Sequence, residues 1–251
     1  MIKAMRGQRC VRSAQCAMLT ASLFLGACRS VPAPQALPPP APPALLVVPE
    51  RIDHFQIDAA SSQVLVLVYR AGKMAKLGHN HVLSVHALSG EVFMPADISQ
   101  ASFRLEFPVA AMSVDEPALR AGLGEDFSAP VDTASIDGTR AHMLGEKLLD
   151  ATHFASVRLQ SGALRPEGDH WLVSLHITVR DHDSVAEVPV TLVSTADELS
   201  ASGEFDLSHA QLGLTPYSVG LGALRVAEII HIRYRLVARR TEPSGAGADN
   251  P

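Results

Sequence analysis

Residues 170–179 read His170-Trp171-Leu172-Val173-Ser174-Leu175-His176-Ile177-Thr178-Val179. Successive side chains of a β-strand leave opposite faces. Trp171, Val173, Leu175, Ile177 and Val179 therefore share one face, and His170, Ser174, His176 and Thr178 the other. Such a strand buries one side and wets the other. The pattern recurs outward in both directions. Downstream it is carried by Val188, Val190 and Leu192, then by Leu199, Ala201, Gly203 and Phe205, then by Ile230, Ile232, Tyr234 and Leu236 against His231, Arg233 and Arg235. Upstream, Phe103, Leu105 and Phe107 alternate with Ser102, Arg104 and Glu106. Gln63 to Tyr69 is apolar on both faces, which predicts a cover on its outer side. Many strands with one apolar face and short polar breaks predict an all-β fold, an antiparallel sheet that closes on itself or folds double.

Val114 to Asp150 departs from this pattern. It contains Pro117-Ala118-Leu119-Arg120-Ala121-Gly122 and a stretch beginning at Asp137 with Met143, Leu144, Leu148 and Leu149 at roughly helical spacing. Two short helices are predicted, the second N-capped by Asp137 and placed to cover one end of a barrel.

The chain has 251 residues and a formal net charge of -5, with no basic patch, which argues against nucleic-acid binding. Hydrophobic residues make up 47% and aromatics 5%, so the core rests on aliphatic side chains. The N-terminus sets an expected address. Lys3, Arg6, Arg9 and Arg12 precede an apolar run, Cys16 to Ala27, too short to span a bilayer. It ends in Leu25-Gly26-Ala27-Cys28, which has the form of a lipobox. Residues 1–27 are thus expected to be a lipoprotein signal peptide, with Cys28 acylated after cleavage. Loss of those four cations would take the formal charge from -5 to -9. Residues 28–51, rich in Pro and Ala, would be an extended spacer, 52–240 the barrel, and 241–251 a disordered tail. The cysteines are Cys10, Cys16 and Cys28, so the expected mature domain has no disulfide. Arg29 rather than Asp follows Cys28, which favours the outer membrane, facing the periplasm.

His79 and His81 flank Asn80 in what reads as a strand, so both imidazoles leave one face. They could supply two ligands to Zn, Fe or Cu. A third ligand would come from His86, His142, His153, His176, Asp181, His182 or Asp183, none at a spacing that specifies it. The pair could equally hydrogen-bond a ligand, since neutral imidazole offers one donor and one acceptor. Arg140 and His142, on the expected covering helix, could meet them. Catalysis has little support: there is no Gly-x-Ser-x-Gly turn and no Walker-type loop. A metal-dependent hydrolase or oxidoreductase using His79 and His81 is the enzyme alternative, and a scaffold binding a partner protein is a third. Phe103, Leu105, Phe107, Trp171, Val173, Leu175, Ile177, Ile230, Ile232 and Tyr234 would face the barrel interior, either as a filled core or as a pocket wall.

Several segments carry a resemblance. Thr139-Arg140-Ala141-His142-Met143-Leu144 through Leu149-Asp150, then Phe154 and Val157-Arg158-Leu159-Gln160-Ser161, resemble a signature of the YceI-like family. So do Leu175 to Arg180 with Val188-Pro189-Val190, and Phe205-Asp206-Leu207-Ser208 through Leu212-Gly213-Leu214. The resemblance implies an extended lipocalin-like antiparallel β-barrel, one or two short helices covering one end, and an extracytoplasmic protein holding an isoprenoid of the quinone or polyprenol kind. It turns the ten inward residues into a pocket wall and makes His79, Asn80, His81, Arg140 and His142 a polar collar. No cofactor is then required; a bound isoprenoid is the expected partner, with a metal at His79 and His81 the second choice. No oligomeric state is specified. The chain departs from the family pattern at Asp181, where a Gly is usual, at Ala155, where a Pro is usual, and in having His79-Asn80-His81.

Overall fold

The computed structural model describes residues 52–241. The expected leader, Cys28, the spacer and nearly all of the tail lie outside the described residues. In chain order the elements are β1 (Asp53–Ile57), β2 (Gln63–Ala71), β3 (His81–Ser84), β4 (Ser89–Met94), β5 (Ser102–Pro108), β6 (Ser113–Val114), α1 (Pro117–Ala121) and α2 (Thr133–Leu144). They continue as β7 (Ser156–Glu167), β8 (His170–Val179), β9 (His182–Ser194), β10 (Glu198–Ser208), β11 (Ser218–Val219) and β12 (Leu224–Arg240).

The alternating segments pair antiparallel in the order β1-β4-β5-β7-β8-β9-β10-β12, and β12 pairs back onto β1, closing an eight-stranded barrel. Closure removes the exposed edges that an open sheet would carry. β12 is long enough to serve two partners end to end: its last residues pair with β1 and the stretch from Arg225 to Arg235 runs beside β2. The sheet then continues from β2 to β3 and β6. Each of the first three barrel staves is thus interrupted, β1 then β2, β3 then β4, β5 then β6. At the β2–β3–β6 end the ring is completed by the insertion that follows β6.

Two irregularities tune the wall. Between Ser161 and Leu164 the β7–β8 register shifts by one residue, so Leu159 and Leu164 both face the interior despite their odd spacing. Gly162 sits in this bulge, where a Cβ would lie 2.8 Å from His176 Nε2. At the β8–β9 turn, Arg180 takes the left-handed conformation (φ 59°) and Asp181 does not, so no glycine is needed at 181.

The two-sided apolar stretch in β2 has its cover. Val64, Val66 and Val68 face the interior, while Leu65 and Leu67 pack outward with Val82, Phe127, Leu119 and Leu123. The covering residues come from the insertion. Its second helix starts earlier than expected: Asp132 is the N-cap, its carboxylate accepting the Ser135 N–H at 2.8 Å, and Asp137 lies inside the helix. The helix ends at Leu144, so Leu148 and Leu149 reach the barrel end from the segment after Gly145. His79 lies before β3 rather than within a strand; only His81 belongs to it.

Candidate functional site

The inward faces do not fill the barrel. One cavity of about 340 Å³ occupies the end carrying the insertion, and a second of about 160 Å³ lies toward the end where β1 begins and β12 finishes. Val64, Phe107, Leu159, Leu175, Phe205 and Ile232 line both, so the two chambers meet end to end. The walls come directly from the alternation. Of the inward residues expected from sequence, Ile177 and Ile230 line the first chamber, Phe107, Leu175 and Ile232 the junction, and Phe103, Leu105, Trp171, Val173 and Tyr234 the second. Along β8 the lining runs from Trp171 to Val179, about 26 Å at ~3.3 Å per residue.

The second chamber has almost no chemistry. The Tyr234 hydroxyl on its wall donates to the Pro189 carbonyl at 2.6 Å, and burial pushes its pKa up. Tyr234 lies across from Gly203, where a Cβ would come within 2.7 Å of the phenolic oxygen. That glycine gives the ring its room.

The first chamber carries the polar residues. His79, His81, His142, Arg70, His209 and Tyr217 contribute to its wall. The rings of His79 and His81 have centroids 6.4 Å apart. His81 is the most tightly fixed. Its Nδ1 lies 2.6 Å from Asp115 Oδ2, while Asp115 Oδ1 accepts from the Val82 N–H at 3.0 Å and from the Arg120 guanidinium at 2.6 Å. Asp115 is 1% exposed and sits at φ 54°, a left-handed conformation held by these bonds. Burial raises the Asp115 pKa, but the hydrogen bonds from His81 and Val82 and the bond from Arg120 outweigh it, and the net shift is downward. Arg120 also donates to the carbonyls of Asn80 and Ala129, at 2.8 and 2.9 Å. A buried carboxylate can only accept, so Nδ1 of His81 carries hydrogen toward it. Nε2 of His81 has no protein partner among the described residues and is left for a ligand. His209, 6% exposed, is held in the same manner, its Nδ1 3.0 Å from the Glu228 carbonyl.

A second network outside the wall holds this arrangement in place. Glu116 accepts from Ser84 Oγ at 2.6 Å, contacts His86 Nε2 at 2.8 Å and takes the Ser113 hydroxyl. The Ser113 and Ser84 hydroxyls and His86 hold its carboxyl down at about 2. The network ties β3 to β6 and so sets where Asp115 begins.

Two members of the expected collar belong elsewhere. Asn80 does not line the cavity: its Oδ1 accepts the Arg70 N–H at 3.1 Å and its Nδ2 donates to the Asp126 carbonyl at 2.9 Å, pinning the turn before β3 to the insertion. Arg140 also turns away, giving its guanidinium to the carbonyls of Met112 and Ala110 and latching α2 to the β5–β6 connection. His142 stacks beside Tyr217, with ring centroids 4.3 Å apart. Of the possible third metal ligands, His86 is held by Ser84 and Glu116, His153 by Asp150 and His182 by the Gln211 carbonyl. Among the described residues no group of three or more His, Cys, Asp or Glu is placed to hold a metal ion. Sequence reasoning missed Asp115, Arg120 and His209. The available signal was Asp115 closing the largely apolar stretch Val109 to Val114, with Arg120 five positions on.

Comparison with known proteins agrees with this architecture. No curated protein matches the chain at a significant level. Among solved structures, Burkholderia cenocepacia BcnA is similar, with a TM-score of 0.52 and 19% identity, covering 72% of this chain and 98% of its own. Campylobacter jejuni YceI protein gives a TM-score of 0.47 and 7% identity over 64% of this chain and 85% of its own. The family model of the YceI-like domain matches residues 55–238, nearly the whole described barrel, and the chain belongs to the YceI-like domain family.

Proposed function

We propose that the barrel binds and carries a single-chain isoprenoid alcohol of the polyprenol kind, its hydroxyl at His81 and its tail running into the second chamber. The observation that carries this reading is the pair of apolar chambers meeting end to end, with an imidazole oriented by Asp115 at one end only. A hydroxyl can donate to a bare Nε2 of His81 or accept from a protonated one, whereas a quinone carbonyl can only accept. Hydroquinones share the donor and are the nearest competitors. At about 0.8 kcal/mol per buried methylene the chain supplies most of the affinity. One hydrogen bond adds about 0.5–1.5 kcal/mol and sets the register of the chain in the tube. Side chains here bind and orient; the site holds no activated nucleophile next to a base, so the reading is a binding protein and not an enzyme.

Mass spectrometry of an organic extract of the purified full chain tests this. Recovery of a polyprenol or a related isoprenoid alcohol is expected. An extract without lipid, together with no uptake of added polyprenol, overturns the reading. The proposed address is the periplasmic face of a membrane, through acylated Cys28. Cys28→Ser is expected to abolish fatty-acid labelling, and normal labelling of that variant rejects the anchor.

A further inference from the structure

The connection after β2 and the hairpin around β11 come together at the mouth of the first chamber. Met74 N–H donates to the Ala223 carbonyl at 2.8 Å, and Gly72 lies so close to this strand that a Cβ would sit 2.5 Å from the same oxygen. Gly78, Leu224, Arg225 and Tyr217 line the chamber beneath. This lip exposes apolar side chains to water: Leu221 fully, Leu77 at 68%, and Met74, Tyr217 and Val219 at 40–47%. Leu221 is held at φ 55° between Gly220 and Gly222, a conformation disfavoured for a bulky residue, so the hairpin presents it outward at a cost. A cluster of this kind around a cavity mouth marks an interaction surface.

The charge on the lip runs against that of the chain. Residues 70–82 and 212–226 hold Arg70, Lys73, Lys76 and Arg225 and no acid, in a chain of net charge -5. Lys73, Lys76 and Arg225 make no ion pair among the described residues, and Arg70 donates to the Gly78 carbonyl. The acids of this end lie outside these two segments: Glu125, Asp126, Asp132 and Asp137 in the insertion, Glu228 on β12, where it accepts the Ala210 N–H, and Asp181 and Asp183 about the β8–β9 turn. The described barrel begins with β1 and ends with β12 beside the second chamber, at the end opposite the lip.

We infer that this lip docks on an anionic phospholipid surface, with Leu77, Tyr217, Val219 and Leu221 entering the interface and the four cations meeting lipid phosphates. Apolar side chains flanked by Lys and Arg are what such a surface takes. Docking there sets the cavity mouth against the bilayer, and an apolar ligand passes between them without crossing water. The inference goes beyond the proposed ligand and does not depend on its identity.

The test uses the expected mature chain, residues 28–251 with Cys28→Ser, which carries neither the cationic, apolar leader nor the acyl anchor, and vesicles of brominated phosphatidylglycerol or brominated phosphatidylcholine free of isoprenoid. Trp171 is the sole tryptophan and lies inside the barrel, so a tryptophan added at Leu221→Trp reports the lip and one at Val193→Trp reports an exposed position on the far wall. The inference expects strong quenching at 221 on the anionic vesicles, weak quenching at 193, and little at 221 on phosphatidylcholine. Lys73→Glu with Lys76→Glu is expected to weaken the 221 signal more than tenfold, at roughly fivefold per cation removed. Equal quenching at 221 and 193, equal quenching on both lipids, or none at 221 overturns it, the last leaving the lip to a protein partner. Quenching at 221 by a chain that takes up no polyprenol would sink the ligand assignment and keep the lip; polyprenol uptake without quenching would do the reverse.

Discussion

The two chambers are built from the same strands and share six wall residues, yet they differ in kind. The second is bounded where β1, β4 and the ends of β10 and β12 pair in an unbroken ring, and its one phenol has already spent its hydroxyl on the Pro189 carbonyl. The first is bounded where three staves are interrupted and an insertion completes the wall. Its imidazoles are aimed by Asp115, Arg120 and Glu228, groups that lie in or beside irregular chain. Regular alternation supplies a uniform apolar wall, while selective chemistry enters where alternation stops. One chamber should therefore set how long a chain is held, and the other which head group is held.

The largest effect is expected from Asp115→Ala. It leaves the Arg120 guanidinium buried without its carboxylate and releases His81, at a cost of about 3–5 kcal/mol. Urea unfolding reads this; a loss below about 1 kcal/mol would mean that the first chamber does not rest on this ion pair. Next is Ala201→Phe, which places a ring in the second chamber. It should weaken binding of a long polyprenol by about 2–4 kcal/mol, the worth of a few displaced methylenes, and leave a short one unaffected. Equal losses for both lengths in a titration would erase the functional difference between the chambers. His81→Phe keeps the volume and removes the ring nitrogen that meets the hydroxyl, so an alcohol should lose about 1 kcal/mol of affinity and the matching hydrocarbon nothing.

The smallest effect is a pH dependence. The Glu116 pKa is about 2 in the folded protein against an ordinary 4.5, so its contribution to stability is fully present above pH 4.5 and is lost as pH falls toward 2. The Asp115 pKa is also lowered, and its contribution carries the same sign. Glu116→Gln should therefore lower the melting temperature at pH 6 and approach wild type near pH 2. The difference should stay below about 1 kcal/mol, because the carboxylate is over a third exposed. A gap that widened on acidification would reverse the sign assigned to Glu116.

How much of this was legible follows the same division. Period-2 alternation placed Trp171, Val173, Leu175 and Ile177 on the wall correctly, because side-chain direction in a strand is local. The same rule shows that Val64, Val66 and Val68 oppose Leu65 and Leu67, hence the cover over β2. It misses Leu164 as a partner of Leu159, because a bulge resets parity and bulges have no strong sequence mark. The roles of Asn80 and Arg140 were not legible: their partners Asp126 and Met112 lie 46 and 28 residues away, and only the folded insertion brings them together. The helix start was misplaced for a local reason, since Asp132 and Asp137 are both acceptable caps and only the hydrogen bond to Ser135 separates them. His209 sits after β10 with no pattern around it, and its carbonyl partner is set by the register of β12.

In the proposed binding mode the two chambers form one path, with the polar head at His81 and the tail beyond Phe205 and Leu175. A polyprenol carrying a photoreactive diazirine at its tail terminus, cross-linked to the purified full chain and mapped by peptide mass spectrometry, tests it most directly. Labels are expected on second-chamber residues such as Trp171, Leu192 and Leu236. Labels confined to His79, His142 or Tyr217 would place the tail at the mouth and contradict it.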